Sequence, residues 1–89
     1  MNMDINGNEL TINGTTVMMR KKQMALFNHL RLCSPRVIET EELKKRMGIM
    51  STHTLVQHVS QLRQALSVFG MICIVTHARV GYALKIVKE

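Results

Sequence analysis

Two Asn-Gly pairs, Asn6-Gly7 and Asn13-Gly14, constrain the fold more than any other feature of this chain. Asn-Gly between short alternating segments is a strong signal for a two-residue hairpin loop. Both central positions of such a loop need φ > 0, which glycine adopts freely and asparagine tolerates. Between the pairs, Glu9-Leu10-Thr11-Ile12 alternates polar and apolar, and Thr15-Thr16-Val17-Met18 follows with a run rich in β-branched residues. The pattern predicts three short antiparallel strands near residues 2–5, 9–12 and 15–18.

After residue 18 the apolar period changes from two to that of a helix. Met24, Leu26, Phe27, Leu30 and Cys33 recur at helical spacing and predict a first helix over about 20–32. Pro35 ends it, because the residue before a proline is pushed out of the α region. A short second helix follows, with Thr40 as its expected cap and Glu41 and Glu42 in the first turn, against the positive end of the helix dipole. Leu43 and Met47 form its apolar stripe, and Gly48 is expected just past its end. The third helix starts near Ser51 or Thr52 and runs to about Ser67, with Leu55, Val59, Leu62 and Leu66 as its buried stripe. Gly70 then breaks the pattern. Met71–Thr76 and Tyr82–Ile86 read as two strands joined by His77-Ala78-Arg79-Val80-Gly81. The expected fold is α+β and a single domain over 1–89. N-terminal strands occupy 1–18, three helices 20–67 and a C-terminal hairpin 71–87, which is the order of a winged helix-turn-helix.

Eighty-nine residues make one domain whose core is thin, burying roughly 60–65% of the unfolded surface. Twelve Lys and Arg against six Asp and Glu give +6 and a pI near 9.9, a balance that suits a polyanion. Cys33 and Cys73 sit in no CxxC or CxxxH pattern, so two semi-buried, reduced thiols are expected. No segment approaches the ~18 apolar residues of a membrane span, and the amino end lacks a signal peptide. A cytoplasmic setting, bacterial or phage-encoded, is the expectation. The exception to that expectation is a chain that forms the soluble N-terminal part of a longer, membrane-anchored protein.

The third helix carries the most informative chemistry. Its outer face holds His53, Gln57, Ser60, Gln61 and Gln64, and no acid occurs from Ser51 to Ser67. An ordinary solvent face is rich in Glu and Lys. Gln can pair bidentately with the N6/N7 edge of adenine in a major groove, and Ser or His can donate or accept there. Basic residues come in groups: Arg20-Lys21-Lys22 at the start of the first helix, where the helix dipole disfavours cations, and Lys44-Lys45-Arg46 just before the turn into the third. These suit phosphate contact, although a solvated face explains Lys44 and Lys45 equally well. Arg79, in the hairpin connection, suits a minor groove or a phosphate. His29, His53, His58, His77 and the cysteines show no metal-ligand spacing. No Gly-rich phosphate loop, GxSxG or paired-carboxylate arrangement is present, so neither cofactor nor catalysis is expected, and no small-molecule ligand is implied.

From about Met19 to Leu84 the sequence resembles the OmpR/PhoB-type effector domain, also found in ToxR-like regulators. Thr54-Leu55-Val56-Gln57-His58-Val59-Ser60-Gln61-Leu62-Arg63-Gln64-Ala65-Leu66 is similar to the family's recognition helix, roughly T-V-D-V-H-I-S-R-L-R-K-K-L. Thr76-His77-Ala78-Arg79-Val80-Gly81-Tyr82-Ala83-Leu84 looks like its wing, T-V-R-G-x-G-Y-x-L. Glu41-Glu42-Leu43 matches the start of the second helix, and Gln23-Met24-Ala25-Leu26-Phe27 sits where the family has E-x-x-L-L. The resemblance implies a domain that binds promoter DNA with its third helix in the major groove and its hairpin in the adjacent minor groove. Carried over by position, His53, Thr54, Gln57 and Gln61 face the groove, His58 and Arg63 contact backbone or brace the helix, and Thr76 and Arg79 lie in the wing. The chain departs from the pattern where the family's Asp is Val56, where two late basic positions are Gln64 and Ala65, and where Arg20 replaces a Thr cap. The wing arginine also falls one place late, at Arg79. No receiver domain precedes residue 1 in this sequence, so phosphorylation control of the usual kind is not expected within it.

The sequence thus leads to a stand-alone, sequence-specific binder of double-stranded DNA that regulates transcription. Base reading is assigned to His53, Thr54, Gln57, Ser60, Gln61 and Gln64. Phosphate or wing contact is assigned to Lys21, Lys44, Lys45, Arg46, His58, Arg63, Thr76 and Arg79. Assembly as a homodimer or in tandem on DNA, and contact with RNA polymerase or another regulator, are compatible partners. The rival reading is a winged-helix interaction module, an antirepressor or adaptor. It calls for an aromatic or aliphatic anchor on the third helix where Gln57 and Gln64 stand. Single-stranded nucleic acid is disfavoured by the chain's three aromatic residues.

Overall fold

The computed structural model describes residues 2–86. These residues form β1 (Met3–Asn6), β2 (Glu9–Ile12), β3 (Thr15–Met18), α1 (Lys21–Cys33), β4 (Ile38–Glu39), α2 (Thr40–Met47), α3 (Thr52–Leu66), β5 (Ile72–His77) and β6 (Gly81–Ile86). The expected order is present with one addition, the two-residue strand β4. The helices begin one residue later and end one earlier than the range 20–67, since Arg20 and Ser67 are caps. The wing hairpin spans Ile72–Ile86, and position 87 of the expected range lies outside the described residues.

The N-terminal sheet has the order β1-β2-β3, all antiparallel. At Asn13-Gly14 both loop residues have positive φ, 50° and 87°, as the Asn-Gly signal requires. The first turn differs. Asn6 pairs with Glu9 as the last residue of β1, so the loop is Gly7-Asn8 and only Gly7 has positive φ. The ladder sets this choice: pairing Ile5 with Leu10 keeps Leu10 and Ile12 buried, and a slip by one residue would turn both outward.

At the start of α1 the Arg20 side chain has no acceptor to offer. The Gln23 Oε1 instead takes the Arg20 N–H at 3.2 Å. The helix stops at Cys33 because Pro35 holds Ser34 extended, at φ −55° and ψ 138°. The chain then pairs briefly with the far hairpin, Ile38 with Tyr82 and Glu39 with Gly81, giving a second sheet of order β4-β6-β5. This pairing corrects the expected cap of α2. Glu39 takes the cap position and Thr40 is the first helical residue, its N–H and hydroxyl both donating to the Val80 carbonyl. Gly48 closes α2 in the left-handed region at φ 68°, and the Ile49 N–H returns to the Lys44 carbonyl at 2.9 Å.

Ser51 caps α3, accepting from the Thr54 N–H at 3.4 Å. Leu55, Val59, Leu62 and Leu66 are all buried and pack with Leu26, Phe27 and Leu30 of α1, Leu43 of α2, and Ile38 and Leu84 of the second sheet. Truncating a leucine in such a core costs about 2–5 kcal/mol. Four anchors along fifteen residues therefore fix which face of α3 points outward. Cys33 is half-buried as expected, whereas Cys73 is exposed because it falls on the outward side of β5; both are free.

Candidate nucleic-acid interface

With its stripe buried, α3 presents His53, Gln57, Ser60, Gln61 and Gln64 to solvent, and Thr54 half-buried. His58 is turned towards the domain, half-buried, and its Nδ1 is buried without a hydrogen-bond partner among the described residues. Gln61 is not wholly free, because its Oε1 accepts from the Nε2 of Gln23 at 3.3 Å. Gln23, 8% exposed, is the buried polar residue of the core, and it links the start of α1 to the middle of α3. Gln57 and Gln64 have no side-chain hydrogen bond among the described residues, so their amides keep all their donors and acceptors for a ligand.

Arg63 is exposed, but its guanidinium turns to the hairpin. Its guanidinium donates to the Ile74 carbonyl, at 3.4 Å from Nε and 3.2 Å from Nη2, and to the Thr76 hydroxyl. It therefore braces the wing on α3, and Thr76 is occupied by the same brace. Its positive charge stays at the junction of helix and hairpin.

The basic groups divide in the same way. Lys44 is only 14% exposed at its side chain, pairs with Glu41 at 2.8 Å, and donates to the Thr52 hydroxyl at 3.1 Å, tying α2 to the first residue of α3. Arg46 pairs with Glu42 at 3.2 Å and also approaches the Cys33 sulfur. The Glu42 hydrogen bond and charge raise the Arg46 pKa above its ordinary value, with Cys33 adding a smaller contribution. Lys22 donates to the Met47 carbonyl at 3.5 Å, a contact between α1 and the end of α2. Lys21 and Lys45 are exposed and form no ion pair among the described residues. Arg79 stands exposed at the tip of the hairpin with φ 64°. There it takes the left-handed position for which the family's wing uses glycine.

The structural contacts of Gln23, Lys22 and Gly81 have no counterpart in the sequence patterns that include these residues. Gln23 is buried and bonds both the Arg20 N–H and Gln61, while Lys22 is exposed and bonds the Met47 carbonyl, contacts that no spacing rule flags. Val56, where the resemblance calls for Asp, is 46% exposed beside Gln57. Among the described residues no helix is long and apolar enough to cross a membrane, and no three His, Cys, Asp or Glu side chains are grouped to hold a metal.

No protein-family model matches the chain, and no curated protein matches it. Solved structures do. The C-terminal domain of the nisin resistance regulator NsrR, a lantibiotic response regulator, superimposes with a TM-score of 0.82 at 19% identity, over 91% of this chain and 89% of that one. The DNA-binding domain of CadC from E. coli gives 0.80 at 23% identity, over 90% of this chain and 80% of that one. The DNA-binding domain of the response regulator AdeR, solved in complex with an intercistronic region, gives 0.81 at 20% identity over 96% and 94%. The fold is thus the one these three domains share, three helices followed by a β-hairpin wing. The expectation drawn from the His58/Ser60/Leu62-Arg63 and Gly81-Tyr82-Ala83-Leu84 motifs holds at the level of architecture.

Proposed function

We propose that this chain binds double-stranded DNA and regulates transcription, with α3 in the major groove and the β5–β6 hairpin over the adjacent minor groove and phosphates. The outward face of α3 carries the reading. It is amide-, hydroxyl- and imidazole-bearing, free of acids, and held in one orientation by four buried anchors. Likeness of fold to the CadC and AdeR DNA-binding domains supports it. Within this reading Gln57, Ser60, Gln64 and His53 approach base edges, Lys21 and Lys45 approach phosphates, and Arg79 reaches the minor groove. Lys44, Arg46, Arg63 and Thr76 shape the surface through the contacts they already make.

The test is a titration of the full chain against a site selected from random duplexes and a scrambled duplex, at two salt concentrations. Preference for the selected site, with affinity falling steeply as salt rises, is the expected result. A flat salt response or equal affinity for single strands overturns it. One observation favours the interaction-module reading: Met50, 93% exposed in the α2–α3 turn, is an apolar anchor of the kind protein partners use. If the chain binds no duplex, that turn is the place to look for a partner.

A further inference from the structure

The outer face of α3 lacks the side chains that read guanine. Arg and Lys are the usual partners of guanine O6 and N7, whereas Gln pairs with the N6/N7 edge of adenine. Arg63 is the only Lys or Arg on α3, and its guanidinium is committed to Ile74 and Thr76. The lysine nearest the amino end of the helix, Lys44, is committed to Glu41 and Thr52. What remains outward is led by Gln57 and Gln64, whose amides have no side-chain hydrogen bond among the described residues. Beside Gln57 stands Val56, an aliphatic side chain left 46% exposed, which suits contact with the methyl group of thymine.

The hairpin points the same way by a separate route. Its tip carries Arg79, exposed within the turn His77–Val80. A-tracts have a narrow minor groove of enhanced negative potential that draws an inserted arginine. Elements on two sides of the interface therefore favour one base composition.

Resting on the duplex-binding reading above, we infer that the DNA this chain selects is A·T-rich. Gln57 and Val56 read adenine and thymine edges in the major groove, and Arg79 reads the width of the neighbouring minor groove. The selectivity lies as much in the cations withdrawn from the face of α3 as in the amides left on it.

Base analogues separate the two contacts. A hypoxanthine·cytosine pair shows the major-groove edge of G·C and the minor-groove edge of A·T, and a diaminopurine·thymine pair does the reverse. The full chain is used to select sites from random duplexes, and each A·T pair of the selected core is replaced in turn by either analogue. At pairs under α3, hypoxanthine·cytosine is expected to weaken binding roughly 5- to 150-fold while diaminopurine·thymine is tolerated. At the wing step the order reverses. Gln57→Arg is expected to move the preference at one pair from A·T to G·C. A selected core with G·C at the pairs that lose discrimination in Gln57→Ala overturns the inference, as does duplex binding without base preference, and both leave duplex binding itself standing. Failure to retain any duplex overturns the underlying reading as well.

Discussion

A methyl group on Gly81 would stand 1.9 Å from the carbonyl oxygen of Ile38 and 2.9 Å from the Cα of Glu39. Both belong to the backbone of β4, which pairs with β6 at this point. One residue earlier, the Val80 carbonyl receives the N–H of Thr40 at 3.0 Å. The return strand of the hairpin thus holds the amino end of α2, and α2 in turn sets the start of α3 through Lys44 and Thr52. Gly81 is required here for close approach of two backbones; its φ lies outside the left-handed region.

Gly81→Ala is therefore expected to destabilise the domain by about 3 kcal/mol, the upper end of the usual cost of overpacking, since the atoms it meets are backbone and cannot rotate away. Gly70→Ala is the control. A Cβ there meets nothing within 4 Å and φ is not positive, so the same chemical change should be neutral or stabilise by about 0.5 kcal/mol. Urea unfolding of the two variants beside the parent decides it. Equal midpoints for both would mean that β4 is not held as described.

How much of this was legible beforehand depends on the length over which each signal repeats. The α3 stripe recurs four times, so its buried and outward faces were readable from Leu55, Val59, Leu62 and Leu66 alone. The strand β4 has two residues, Ile38 and Glu39, too few for any alternation, and its existence follows from the space at Gly81. Asn6-Gly7 carried the hairpin signal, yet the ladder placed the loop one residue on, because burial of Leu10 outweighs local turn preference. Lys44 and Lys45 are indistinguishable as letters. Only the helix geometry turns the first onto Glu41 and Thr52 and leaves the second in solvent.

Arg79 occupies the left-handed region, at φ 64°, where a side chain costs about 1 kcal/mol relative to glycine. Arg79→Gly is expected to raise stability by up to about that amount, and Arg79→Ala to leave it within about 0.5 kcal/mol. Both should lose about 1–3 kcal/mol of DNA affinity, because both remove the charge. Thermal unfolding and duplex titration on the same three proteins read the two effects apart. An Arg79→Gly protein that is more stable and binds as well as the parent would remove the wing arginine from the interface.

The division among the lysines appears in the salt dependence. Each phosphate neutralised contributes about −0.9 to the slope of log K on log salt. Lys45→Ala and Lys21→Ala are each expected to reduce the slope by about one unit and to weaken specific and scrambled duplexes alike. Lys44→Met should leave the slope unchanged, since its ammonium already faces Glu41, and should lower stability by less than about 1 kcal/mol. A reduced slope for Lys44→Met and an unchanged one for Lys45→Ala would reverse the assignment.

Gln57 and Gln61 lie one turn apart on α3 and look equivalent in sequence, but only Gln61 is joined to the core, through Gln23. Their alanine variants should therefore behave differently. Gln57→Ala is expected to flatten discrimination between a selected and a scrambled duplex by about 1–3 kcal/mol per base read, with stability unchanged. Gln61→Ala leaves the Nε2 of Gln23, a residue 8% exposed, without its acceptor, and should cost about 1 kcal/mol of folding stability in addition to any loss of discrimination. Replacing both members together, as Gln23→Met with Gln61→Met, removes donor and acceptor at once and should cost less than the two single changes added. The four proteins of that cycle, unfolded in urea, give the coupling directly. Strict additivity would show that the Gln23–Gln61 bond does not hold α1 against α3, and Gln61 would then stand beside Gln57 as a free reader of bases.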